Sequence, residues 1–98
     1  MTVRSKGYNF PVSDDEQIII DVRETFEFAT DHVVGAVNMP LRSLEETMRE
    51  NNLPKDTPII VYCRTGSRSE RAQQILDSMG FTRVENGINA QTLRNTQK

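Results

Sequence analysis

Two short runs rich in β-branched residues, 18–22 (IIIDV) and 58–62 (PIIVY), constrain the fold of this chain most. Each run is nearly continuous in hydrophobicity rather than alternating, which is typical of strands that are buried on both faces. Segments with helical spacing lie between and after the runs, and strands that alternate with helices favour parallel pairing. The sequence therefore predicts an α/β fold with a mainly parallel central sheet, flanked by helices on both faces.

The segment after the second run predicts the best-defined helix of the chain. Its apolar residues recur at the spacing of one buried helix face, and they are Ala72, Ile75, Leu76 and Met79. Ser67 and Glu70 match a capping box at the start of this helix. Gly80 is suited to the left-handed conformation that closes a helix. We expect this helix to begin directly behind the loop that follows the second strand.

A shorter helix is predicted over residues 43–51. Ser43 and Glu46 match a capping box there, and Leu44 and Met48 are spaced to share one buried face. These two apolar side chains are expected in the core.

The remaining segments predict shorter elements. Residues 82–85 predict a short strand, Asn86-Gly87 predicts a turn, and residues 90–97 predict a last short helix. The chain has 98 residues, which is enough for one hydrophobic core, and no repeat or linker divides it. We therefore expect a single domain over residues 1–98.

The charge and hydropathy of the chain exclude several classes of partner. The net charge is −2, so there is no global attraction to nucleic acid or to an anionic membrane. No stretch approaches the roughly 20 apolar residues that span a bilayer, and residues 1–10 lack the apolar centre of a secretory signal. We expect a soluble protein without nucleic-acid or membrane partners, cytoplasmic in preference to the mature form of a periplasmic protein.

Cys63 is the only cysteine and lies where the second strand ends. It has no partner for an internal disulfide, and with His32, the only histidine, it does not supply an ordinary zinc shell without several carboxylates. No metal is therefore expected. A lone cysteine at this place is more often a small buried hydrophobe than a nucleophile.

The loop behind Cys63 favours reactivity instead. It places Arg64 and Arg68 around Gly66, and the predicted helix starts within it. Amide N–H groups at a helix start and nearby cations stabilise negative charge, and they lower the pKa of a thiol. Ligand crevices of α/β sheets also lie at the carboxyl ends of strands. The loop therefore predicts an activated cysteine beside an anion site.

Four segments together resemble the single-domain rhodanese family of sulfurtransferases. In chain order they are IIIDVRETFEF, DHVVGAVNMPL, IIVYCRTGSRSERA and GFTRVENGINA, which cover about residues 18–90. The resemblance implies a rhodanese-like fold whose N-terminal edge is shortened to residues 1–17. It also implies transfer of a sulfane sulfur from a small anionic donor such as thiosulfate to cyanide or a thiol, including a small thiol protein. This scheme needs no metal or organic cofactor.

The resemblance also assigns roles within the loop. Cys63 is the nucleophile that would carry a persulfide. The residues of the substrate cradle are Arg64, Thr65, Gly66, Ser67 and Arg68. Arg68 is additionally expected to be held by Glu70 or by the sheet edge.

Three further residues of the matched segments are interpreted as structural neighbours of the site. Asp21 and Arg23 belong to the DVR segment, and His32 precedes the VVGA segment. We expect Arg23 to pair with a carboxylate such as Glu27, and Asp21 to hydrogen-bond backbone near the loop. His32 is expected to position a loop, because a preformed thiolate needs no general base. The side chains expected in the core here are Phe26 and Phe28.

Other functions share this loop. A redox-sensing thiol is compatible with it. A rhodanese-like regulatory or sulfur-carrier module is the alternative, but regulatory modules of this kind generally lack the nucleophile, which this chain keeps. A phosphatase is disfavoured, because four residues separate Cys63 from Arg68 and related phosphatase loops have five. An arsenate reductase would lack a second cysteine to resolve an oxidised intermediate.

Overall fold

A computed structural model describes residues 17–96, and the predicted shortened edge lies outside this range except for Gln17. The described strands form one parallel sheet in the order β2-β1-β3-β4, which confirms the predicted α/β class. The strands are β1 (Ile18–Asp21), β2 (Val37–Asn38), β3 (Ile59–Cys63) and β4 (Val84–Asn89). The helices are α1 (Thr25–Thr30), α2 (Leu44–Asn51), α3 (Ser67–Ser78) and α4 (Ala90–Thr96), and a 3-10 turn (Leu41–Ser43) precedes α2.

The central strand β3 divides the core into two layers. All five of its residues are buried, as a continuous apolar run predicts for a strand covered on both faces. Ile59, Val61 and Cys63 pack with the buried residues of α2 and α3. Ile60 and Tyr62 pack on the opposite face with residues that include Leu93 of α4. Helices therefore cover both faces of the sheet, as predicted.

The helices have the predicted positions but not the predicted caps. Leu44 and Met48 are buried in α2 and Ser43 is its N-cap residue, but the Ser43 hydroxyl makes no capping hydrogen bond and donates to the carbonyl of Pro40 instead. In α3, Ser67 is already the first helical residue and Gly66 precedes it. Both predicted capping boxes are therefore wrong. Gly80 has a φ of +100° just after α3, as the helix-stop prediction requires.

Two further predictions are wrong. Asn86 and Gly87 lie inside β4 rather than in a turn, because a register shift between Val61 and Tyr62 lets the strand continue through them. Phe26 is not a core residue, since it is 72% exposed on α1. Phe28 is half-buried and stacks on His32 with ring centroids 3.7 Å apart.

The topology places a crevice at the end of β3. The chain leaves β1 towards β2 on one side and leaves β3 towards β4 on the other, so the strand order reverses between β1 and β3. Such reversals open a crevice at the carboxyl ends of parallel strands, and Cys63 lies there. Among residues 17–96, no helix is long and apolar enough to cross a membrane.

Candidate active site

The sulfur of Cys63 lies inside a cradle formed by the start of α3. The amide N–H groups of Gly66 and Ser69 donate to Sγ over 3.1 and 3.3 Å, and the Ser69 hydroxyl lies 3.6 Å from Sγ. Cys63 is only 2% exposed, so the cradle surrounds the sulfur instead of presenting it openly. The sequence of the loop predicted this cradle but not the part that Ser69 takes in it. A signal for Ser69 was available, because it lies three residues before Ala72 and so continues the buried face of α3 with a hydroxyl group.

The cradle favours the thiolate. Burial raises the pKa of the Cys63 thiol, but hydrogen bonds from the Ser69 hydroxyl and from the Ser69, Gly66 and Thr65 backbone outweigh burial. The net effect is a pKa below the ordinary value of a cysteine. The hydrogen bonds of the cradle therefore favour the thiolate form of Cys63.

The backbone at Gly66 permits this arrangement. Its φ of +98° is left-handed, which turns its N–H towards the sulfur at the start of α3. A Cβ at this position would lie 3.2 Å from Cγ2 of Ile88, so there is little room for a side chain. Ile88 itself has a φ of +73°, which is rare for a β-branched residue and costs about 1 to 3 kcal/mol. Ile88, a residue of β4 with a strained backbone, therefore packs against Gly66 of the loop.

The two loop arginines have different environments. Arg64 is exposed and forms no ion pair with any residue in the described part of the chain. Arg68 is half-buried and donates from Nη1 and Nη2 to the two carboxylate oxygens of Glu27, at 2.9 and 3.2 Å. The expectation that Glu70 or the sheet edge holds Arg68 is therefore wrong, because α1 brings Glu27 to the guanidinium first. Arg68 still feels the negative charge on Cys63, which contributes to its raised pKa after the dominant hydrogen bond to Glu27.

The hydroxyl residues of the loop lie at its outer rim. Thr65 and Ser67 are both exposed, and their hydroxyl oxygens are 3.4 Å apart. Neither hydroxyl is directed at Sγ, so of these two residues only the Thr65 backbone contributes to the thiolate.

The DVR segment forms its own ion pair below the crevice. Arg23 donates to both carboxylate oxygens of the fully buried Asp21, including Nη2 to Oδ2 at 2.8 Å. Arg23 therefore pairs with a carboxylate, as predicted, but the partner is Asp21 and not Glu27. Asp21 accepts a backbone N–H at 2.9 Å, but the donor is Arg23 of its own segment and not the loop after β3, where the prediction placed it. Asp21 and Arg23 thus stiffen the chain between β1 and α1, which carries Glu27.

His32 lies beside α1, and its side chain forms no hydrogen bond to the loop after β3 within residues 17–96. Its ring stacks on Phe28, and Nδ1 is 2.8 Å from the Phe28 carbonyl oxygen. An Nδ1–H tautomer satisfies that contact as a donor. These contacts position the end of α1, in keeping with the structural interpretation. Within residues 17–96 there is no cluster of three or more His, Cys, Asp or Glu side chains that suits a metal ion.

Comparison with known proteins identifies the family that the sequence was found to resemble. The family model described as a rhodanese-like domain matches residues 11–90. The thiosulfate sulfurtransferase PspE of Escherichia coli is 40% identical over 67 residues, which cover 68% of this chain and 64% of that protein. The putative sulfur carrier protein YrkF of Bacillus subtilis is 38% identical over 76 residues, covering 78% of this chain and 40% of that protein.

A solved structure shows the same fold. A rhodanese with anions from E. coli superposes with a TM-score of 0.73 at 35% identity, covering 79% of this chain and 91% of that one. The chain spans less than two thirds of the length of the two curated relatives named above.

Proposed function

This chain belongs to the rhodanese family, and from that premise we propose that it is a sulfurtransferase that carries a sulfane sulfur as a persulfide on Cys63. The observation that carries the proposal is the convergence of the Gly66 and Ser69 amides on Sγ, at 3.1 and 3.3 Å. Such donors stabilise an attacking thiolate and equally a bound persulfide. The name of the E. coli relative, a thiosulfate sulfurtransferase, supports the same chemistry.

The reaction has two displacement steps. In the first step the Cys63 thiolate attacks the outer sulfur of thiosulfate, a new S–S bond forms, and the old S–S bond breaks with its electron pair leaving on sulfite. In the second step cyanide or a thiolate attacks the outer sulfur of the persulfide, and the electron pair of the Cys63 S–S bond returns to Cys63. No proton is gained or lost over the cycle with cyanide, so no general base is required.

The loop residues have different roles in binding the Cys63 sulfur and the sulfur donor. The backbone N–H groups of residues 65, 66 and 69 hold the sulfur of Cys63. The exposed Arg64 attracts the dianionic donor, while Thr65 and Ser67 offer hydroxyl donors at the rim. Arg68 adds a fixed positive charge whose own hydrogen bonds go to Glu27. The anions in the E. coli rhodanese structure support an anion site in this family.

Burial of Cys63 favours a donor with a terminal sulfur. The residue is 2% exposed, so only a slim, protruding atom reaches Sγ without moving the loop. Thiosulfate presents such an atom, and so does a persulfide on a small thiol or on an exposed cysteine of a small thiol protein. We propose these thiols as the acceptors and thiosulfate as the donor.

Intact mass spectrometry before and after incubation with thiosulfate tests the proposal. We expect wild-type protein to gain the mass of one sulfur atom, and cyanide or dithiothreitol to remove it. Cys63 is the only cysteine, so Cys63→Ser is the matched control and should gain nothing. A wild-type mass that stays unchanged under saturating donor would contradict the proposal.

A sulfur carrier is the second candidate, because the B. subtilis relative is named a putative sulfur carrier protein. Steady-state turnover distinguishes the two. A transferase should produce thiocyanate continuously from thiosulfate and cyanide, whereas a carrier loads once and waits for a specific partner. Loading without turnover on cyanide or small thiols would favour the carrier.

A further inference from the structure

We propose that Asn86 of β4 is a positioning residue for Cys63, because it anchors both residues whose amides hold the sulfur. Its Oδ1 accepts the Ser69 hydroxyl at 2.6 Å, and its Nδ2 donates to the Gly66 carbonyl at 3.3 Å. The inference rests on the proposed function only in assigning Cys63 as the reactive residue. No feature of the sequence alone set Asn86 apart from a turn residue.

Asn86 is itself fixed by the irregularity of β4. Its Oδ1 also accepts the N–H of Ile88 at 2.8 Å, and Ile88 is the residue with the left-handed backbone. The side chain of Ile88 in turn lies close to Gly66, where it would be 3.2 Å from an added Cβ. The bulged strand therefore holds the loop through one amide side chain and one apolar contact.

The Ser69 hydroxyl explains why an amide suits this position. That hydroxyl has one proton, which the Gly66 carbonyl and Oδ1 of Asn86 accept, and which Sγ of Cys63, 3.6 Å from the Ser69 oxygen, can accept only as a thiolate. When Cys63 is a thiol, its S–H donates to the Ser69 oxygen and the hydroxyl proton turns to Asn86. When Cys63 is a thiolate, the proton turns to the sulfur, and Oδ1 keeps the N–H of Ile88.

Asn86 thus lets Ser69 serve both states of the sulfur without leaving a buried polar group unpaired. The amide also supplies the donor that faces the Gly66 carbonyl, which a carboxylate does not. Among the described residues, Arg68 is the charged group whose pKa is raised by its hydrogen bond to Glu27 and, to a smaller extent, by Coulombic attraction to the Cys63 thiolate. An Asn86 variant changes neither of these two residues.

The test measures the rate of Cys63 alkylation by iodoacetamide against pH, which needs no sulfur donor. A failure of sulfur loading therefore leaves this test intact. Asn86→Asp keeps the size and the acceptor but replaces the Nδ2 donor with an oxygen and adds a negative charge. We expect its alkylation midpoint to rise by roughly one pH unit, the size that loss of one hydrogen bond to a charged group gives. Asn86→Ala should shift the midpoint in the same direction.

Gln73→Ala is the matched control. The Gln73 amide also bridges α3 and β4, donating to the Val84 carbonyl at 3.0 Å, but it makes no bond to the cradle. Its alkylation midpoint should equal that of the wild type, even where urea unfolding shows an equal loss of stability. A midpoint in Asn86→Asp that matches Gln73→Ala, or that falls, would overturn the proposal.

A second variant covers the case in which an Asn86 change fails to fold. Ser69→Ala removes the shared hydroxyl and leaves the Asn86 to Gly66 bond in place. It should raise the midpoint, and Asn86→Asp added to it should shift the midpoint by less than it does in the wild type, because residues in one network are not additive. A Ser69→Ala midpoint equal to that of the wild type would overturn the route through Ser69 even if no Asn86 variant folds, and so would an equal Asn86→Asp shift in both backgrounds.

Discussion

Arg68 and Glu27 form a two-bond ion pair across the crevice, although 41 positions separate them in the chain. The pair joins the start of α3 to α1, and so it connects the loop after β3 with the segment after β1. Its Nη1–Oε1 and Nη2–Oε2 distances are 2.9 and 3.2 Å, which is the parallel geometry that makes arginine–carboxylate pairs strong. Arg68 is therefore a fixed charge beside Cys63, whereas Arg64 remains exposed.

Glu27→Gln should lower the free energy of unfolding at neutral pH by about 1 to 2 kcal/mol, the range for a partly buried charge-assisted pair. The control is Glu45→Gln, which removes the same chemical group from the exposed i,i+4 pair with Arg49. We expect that control to cost only about 0.3 to 0.5 kcal/mol. Equal losses of unfolding free energy in urea for the two variants would show that the pair across the crevice stabilises the fold no more than an exposed pair does.

The same pair predicts a pH dependence. The hydrogen bond from Arg68, and then the N–H of Glu24, lower the pKa of Glu27 from its ordinary 4.5 to about 2. A lowered carboxyl pKa means that the stabilisation is complete above 4.5 and is lost as the pH falls towards 2. The difference in unfolding free energy between wild type and Glu27→Gln should therefore shrink across this window. A difference that stays constant down to the acid end would contradict the assigned pair.

Tyr62→Phe should destabilise the fold through a buried hydrogen bond. The Tyr62 hydroxyl accepts the N–H of Val33 at 3.0 Å, and its removal leaves that amide unpaired in the second core layer. A buried donor left without a partner costs about 1 to 3 kcal/mol. Urea unfolding measures this cost. A loss below about half a kcal/mol would mean that water replaces the hydroxyl.

Alkaline titration tests the same side chain. Burial raises the pKa of Tyr62 to about 12, so the neutral phenol is favoured in the folded state. Its contribution to stability is present below the ordinary value of 10 and is lost as the pH rises towards 12. The chain has two tyrosines, so Tyr8→Phe leaves Tyr62 as the only phenolate signal. An absorbance midpoint near 10 in that variant, without unfolding, would contradict the burial.

The sequence was sufficient for the parts of this fold that depend on local pattern. The continuous runs predicted β1 and β3, and the spacing of Ala72 and Leu76 predicted the buried face of α3. Cys63 at the end of a buried strand predicted the cradle, because helix-start amides and a strand end must meet there.

Long-range partners were not predictable in the same way. Glu27 was assigned to Arg23, its near neighbour in sequence, but the fold pairs it with Arg68. The Asn86-Gly87 dipeptide is a strong local turn signal, yet β4 continues through it, since the register shift places Asn86 against the loop. Each error arises because tertiary contacts outweigh a local preference of the sequence.

Gly66→Ala should raise the pKa of Cys63 without preventing the protein from folding. Alanine at a φ of +98° is strained, and its Cβ would lie 3.2 Å from Ile88. The Gly66 N–H should move away from Sγ, so the alkylation midpoint, expected below about 8.5 in the wild type, should rise. Gly35→Ala is the control, because its φ is +87° but nothing lies within 4 Å of its added Cβ. A Gly66→Ala profile equal to that of Gly35→Ala would show that this amide does not hold the thiolate.

The contrast between the loop arginines gives the last prediction. Arg64→Ala should raise KM for thiosulfate more than it lowers kcat, because an exposed cation attracts the donor equally in the ground and transition states. The loss in kcat/KM should be on the order of tenfold at low salt and should shrink as salt screens the charge. Arg68→Ala should behave differently, since it frees Glu27 and places an unpaired carboxylate beside the cradle. We expect it to lower kcat and unfolding stability together.

Glu27→Gln in the Arg68→Ala background separates the loss of the Arg68 charge from the effect of the unpaired Glu27 carboxylate. Removing the orphaned carboxylate should restore part of the lost kcat, because the negative charge facing the thiolate is gone. Arg71→Ala serves as the matched control, since Arg71 is exposed on α3 and donates to Oε1 of Gln74 on the same helix. If Arg64→Ala and Arg71→Ala show the same KM for thiosulfate at low salt, the exposed charge of the loop does not recruit this donor. A neutral or protein-bound persulfide then becomes the better substrate, because such a donor gains little from a cation at the mouth of the cradle.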